Sequence, residues 1–96
     1  MSAREDREAN AAVEALHAIS WCLRHLACGW SLDPRERAAA IELLAGGIPG
    51  ADGADLDAAT KILASSHRLG RRQRDRAAEL SVRLAEQAAD LPEANQ

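Results

Sequence analysis

His17, Cys22, His25 and Cys28 crowd one stretch of the chain, and these are residue types that hold metals or act as nucleophiles. Cys22 and His25 stand three apart, so on a helix they are neighbours that could share an ion. Cys28 follows by another three, but each helical residue turns about 100°, so the set fans across about 120° of surface. A closed zinc site needs a fourth ligand, and among the three histidines only His67 lies elsewhere. No Cys-x-x-Cys pair is present. The pattern therefore favours the cysteines as small buried hydrophobes and the histidines as partly exposed polar groups, with no metal and no cofactor expected. The two thiols would also lie roughly 9 Å apart along one helix. That exceeds the Cα separation of about 7 Å that a disulfide tolerates.

The arginines form a second set. Lys61 is the single lysine among 12 basic residues, and Arg68, Arg71, Arg72, Arg74 and Arg76 against Asp75 give +4 over nine positions. They fall at the predicted start of a helix, where the dipole disfavours cations. A guanidinium grips phosphate or carboxylate with two parallel hydrogen bonds, so nucleic acid and an acidic protein surface are both eligible partners. No aromatic residue stands near this run in the sequence to stack on a base.

Acidic residues gather in three groups: Glu5, Asp6 and Glu8; Asp52, Asp55 and Asp57; Glu86, Asp90 and Glu93. In an up-down-up-down bundle all three fall at one end, and the arginine run with Arg24, Arg35 and Arg37 falls at the other. Acids at helix starts suit the dipole and explain two of the groups. A contiguous acidic pole could instead imitate a phosphate backbone or dock on a basic protein surface.

Trp21 and Trp30 are the only aromatic residues apart from histidine. Trp30 extends the main apolar face of the first helix, while His17, Trp21, Arg24 and Cys28 make a second stripe on the opposite side. A helix of this kind is either central in its fold or offers one side to a partner. Trp is a favoured residue of binding hot spots, and a homodimer seam on the second stripe is an alternative use.

Catalytic patterns are weak, and no enzymatic activity is expected. Gly46-Gly47-Ile48-Pro49-Gly50 lacks the Lys-Ser/Thr pair of a phosphate loop. Ser65, Ser66 and His67 adjoin one another without an assignable orienting group or oxyanion hole. A helix-turn-helix reader is disfavoured too: the loop before the third helix is long, and that helix opens with Asp52, Asp55 and Asp57, which phosphate repels.

The elements that must position these groups are helices. Ala9, Ala12, Leu16, Ile19, Leu23, Leu26 and Trp30 recur in steps of three and four, which predicts a helix over 3–28 stopped by Gly29. Asp33, Pro34 and Glu36 start a second, over 34–46. Glycines and Pro49 make 46–53 a loop, a third helix covers 54–69 with Gly70 as its stop, and a fourth covers 71–90 before a flexible 92–96 tail. No segment alternates with period two, so the fold class is all-α, a single-domain four-helix bundle.

Composition sets the margin. The 96 residues include 22 alanines and only 21 larger apolar side chains, a thin core for a domain this small. Net charge is −3. No apolar run approaches the roughly 18 residues of a membrane span, and the N-terminus lacks the pattern of a signal peptide, so a cytoplasmic protein is expected. In size, composition and want of a catalytic motif the chain resembles the small helical inhibitors encoded by phages, of the anti-CRISPR type. The resemblance implies a non-catalytic interaction protein that docks on a bacterial nucleoprotein complex and blocks its nucleic-acid binding. It carries no residue assignments. A nucleic-acid-binding regulator using Arg68–Arg76 is the alternative.

Overall fold

Several helix ends are set by local signals. The computed structural model describes residues 3–65 and 68–91, with helices α1 (Ala3–Ala27), α2 (Pro34–Ala45), α3 (Gly53–Ala64) and α4 (Arg71–Asp90). Asp33 caps α2 by accepting a hydrogen bond from the Arg35 N–H at 2.8 Å, with Pro34 as the first helical residue. Asp52 caps α3 by accepting from the N–H groups of Ala54 at 2.8 Å and Asp55 at 3.4 Å. At the start of α4 the Gln73 side chain accepts from the Gly70 N–H at 3.2 Å.

The third helix is shorter than its sequence suggests. It ends at Ala64, and Ser65 turns into extended backbone at φ −64°, ψ 127°. Ser65 opens a serine pair, and serine hydroxyls compete for backbone partners, a preference for helix ends over helix interiors. Gly70 consequently leads into α4, where extended backbone at φ −74°, ψ 173° makes it the N-cap; it does not stop α3. Two separate helices therefore flank a short connection, part of which, with Ser66 and His67, lies outside the described residues.

The helices run up, down, up, down. Ser20 donates its hydroxyl to the Ser81 carbonyl at 2.7 Å, while Gly29 faces Arg74, so α1 and α4 are antiparallel and form the most extensive pair. Asp55 meets Arg83 and Gln87, which sets the start of α3 beside the C-terminal half of α4. The Arg37 guanidinium donates to the Ser65 carbonyl, which sets the start of α2 beside the end of α3.

Leu16, Ile19, Leu23, Leu63, Leu80 and Leu84 are the largest fully buried side chains. Between them sit buried Ala12, Ala15, Ala59, Ala77 and Ala88. These alanines take little room beside the leucines and isoleucines that make up most of the core. The bundle is elongated, 45 × 23 × 20 Å. Among the described residues no helix is long and apolar enough to cross a membrane.

Candidate functional site

The way α1 ends determines where Trp30 stands. Gly29 adopts a φ of +82°, which a residue bearing a Cβ resists. Its N–H donates to the Leu26 carbonyl at 3.0 Å, and the Trp30 N–H donates to the His25 carbonyl at 3.2 Å. These two bonds form a Schellman termination, which commonly brings together the side chains on either side of the stop. Here the contact is aromatic. The His25 ring meets Trp30 edge-on at 4.9 Å and stacks on Trp21 at 4.8 Å. Three rings thus form a ladder along the outside of α1, with Trp21 50% and Trp30 61% exposed. His17, Trp21, Arg24 and Cys28, the second stripe, are all exposed.

Beside Trp30 lies an open cavity of about 520 Å³. Leu26, Leu32 and Ile62, all buried, line its inner side. Arg37 from α2, Arg68 from the connection and Arg74 from α4 line it with Trp30. Arg74 reaches across to α1, for a Cβ placed on Gly29 would stand 3.4 Å from its Nη1. The folding of the bundle thus joins Trp30 to the arginine run, from which it is 38 positions or more distant in sequence. The cavity's charged groups are guanidiniums, which hold anions through directed pairs of hydrogen bonds. An exposed indole beside them offers a flat face for stacking.

The other arginines of the run stand outside this cavity. Arg71, Arg72 and Arg76 are exposed on α4, and Arg76 approaches Glu79 at 3.9 Å one turn along. Arg72 and Arg76 lie four apart on the side of α4 away from the core, so they face solvent in a different direction from Arg74.

Of the three aspartates that open α3, two serve the fold. The Asp52 carboxylate is engaged as the cap of α3. Asp55 is turned inward, 5% exposed, and accepts from Arg83 Nε at 3.0 Å and Gln87 Nε2 at 2.8 Å. The Arg83 guanidinium is in turn held above its ordinary pKa, first by the hydrogen bond to Asp55 and then by its charge. Asp57, Glu86 and Asp90 are exposed. The side chains of Glu5, Asp6, Glu8 and Glu93 lie outside the described residues.

The His and Cys residues of α1 are dispersed over several environments. Cys22 is buried on the core side, whereas Cys28 and His17 are exposed and His25 lies between the two indoles. Burial pushes the Cys22 thiol pKa up, and the charge of Glu36 adds to the effect. No protein-family model, no curated protein and no solved structure matches this chain.

Proposed function

We propose that this protein is a non-catalytic interaction module that docks through its arginine-rich pole on an anionic surface of a larger nucleoprotein assembly. One observation carries the reading: Trp30, Arg37, Arg68 and Arg74, drawn from four parts of the chain, converge on one open cavity. Trp and Arg are the side chains that most often dominate binding energy. Guanidiniums stay protonated at any physiological pH, so they serve as anion holders and not as bases.

The geometry favours this pole over the acidic one. Asp52 and Asp55 already serve the fold through the α3 cap and the buried pair with Arg83. An inhibitor of the anti-CRISPR type is the finer form of the reading, supported by resemblance in size and composition. In that form the arginines grip nucleic acid exposed on the target assembly, and the bound protein blocks further nucleic-acid binding there.

Capture of a tagged copy's partners from its native host tests the docking. Wild type and Asp57→Lys should retain the same assembly, and Arg68→Glu/Arg74→Glu should lose it. Retention by the arginine variant, or loss with Asp57→Lys, overturns the assignment of the face.

A further inference from the structure

We infer that the cavity at the arginine-rich pole receives a nucleobase of single-stranded nucleic acid, stacked on Trp30, with the flanking phosphates on Arg37, Arg68 and Arg74. The inference rests on the pole being the docking face and goes on to name its occupant. Two features of the cavity have to be matched by one ligand. Its inner side carries Leu26, Leu32 and Ile62 beside Ser31 and Ser65, and one wall is an indole that is 61% exposed. Its charged groups are three guanidiniums, supplied by α2, the α3–α4 connection and α4.

An acidic peptide would satisfy the arginines and bring its charge beside Trp30, but it has no flat face to stack on the indole or to fill the apolar side. A nucleotide carries both kinds of group: a flat base with an apolar face, and an anion on either side of it along the strand. Aromatic side chains interleaved with a cationic groove are the general means by which single strands are held. A cavity of about 520 Å³ falls within the range of sites that enclose a small organic group. In a duplex the base faces are already stacked on one another, so the indole could reach one only after costly unstacking. The site therefore selects unpaired strands.

Binding of three labelled probes, measured by anisotropy on the intact protein, tests this. The probes are a thymidine oligonucleotide, an abasic oligonucleotide with the same number of phosphates, and polyglutamate of matched charge. The thymidine strand should bind about tenfold or more tightly than the abasic one. Trp30→Ala should erase that difference and Trp30→Phe should retain most of it. With three phosphates engaged, raising salt from about 50 to about 200 mM should weaken binding roughly 20-fold. Equal binding of the three probes, all of it lost in Arg68→Glu/Arg74→Glu, overturns the base-stacking inference and leaves the anionic docking face standing. No binding of any probe at low salt, or binding that ignores the arginine substitutions, overturns both.

Discussion

Asp55 shows how the fate of one side chain depends on partners remote in sequence. As one of three closely spaced aspartates it reads as part of an acidic docking patch. Arg83 and Gln87, which take up its carboxylate, lie 28 and 32 positions away, so local spacing gives no hint of the pairing. Asp55→Ala should lower unfolding free energy by about 1–3 kcal/mol, because it removes two hydrogen bonds to a buried acceptor and strands Gln87. Arg83→Ala should cost less than Asp55→Ala, since the Arg83 side chain is 59% exposed and water can replace its partner in part. Chemical denaturation of the two variants measures both. Cys22 gives a pH-dependent prediction. The folded chain holds the thiol proton to higher pH than the unfolded chain does, since burial and Glu36 both raise its pKa. The contribution is fully present below the ordinary thiol value of 9.0 and is lost as pH rises through the folded value. Between about pH 8 and about pH 10 the denaturation midpoint of wild type should therefore fall more than that of Cys22→Ala.

Helix boundaries were legible wherever a residue both signals an end and meets its bond locally. Asp33 with Pro34, Asp52 and Gly29 all act within a few positions, and all three do what their types suggest. The end of α3 was not legible, because glycine is the stronger stop signal and Gly70 drew the boundary past the Ser65 turn. The termination at Gly29 also aims Trp30 toward the cavity, so one glycine links helix geometry to the candidate site. Gly29→Ala should cost about 1–2 kcal/mol from the left-handed backbone. The same substitution should weaken binding at the pole, because the left-handed turn at φ +82° carries the indole. Within the core, Leu84→Ala should cost about 2–5 kcal/mol. That is a large share of the stability of so small a domain, and thermal melting should show a markedly lower midpoint.

At the scale of the molecule, the gathering of arginines at one pole followed from alternating helix directions alone. The meeting of Trp30 with Arg68 and Arg74 did not, for it depends on how α1 and α4 register against each other. The exposed stripe of His17, Trp21, Arg24 and Cys28 holds one large apolar group and a cation, a small area for a stable dimer seam. Sedimentation at micromolar concentration should give a monomer. Composition supplies the most direct test of the cationic pole as the binding face. Trp21 and Trp30 are the only indoles and there is no tyrosine, so Trp21→Phe leaves Trp30 as the sole strong fluorophore, beside the cavity. Titrated with polyglutamate, which does not absorb in the indole band, this variant should show a saturable change in emission that Arg68→Glu/Arg74→Glu abolishes. Emission that stays constant while polyglutamate binds, or a change that survives the arginine substitutions, would contradict the assignment.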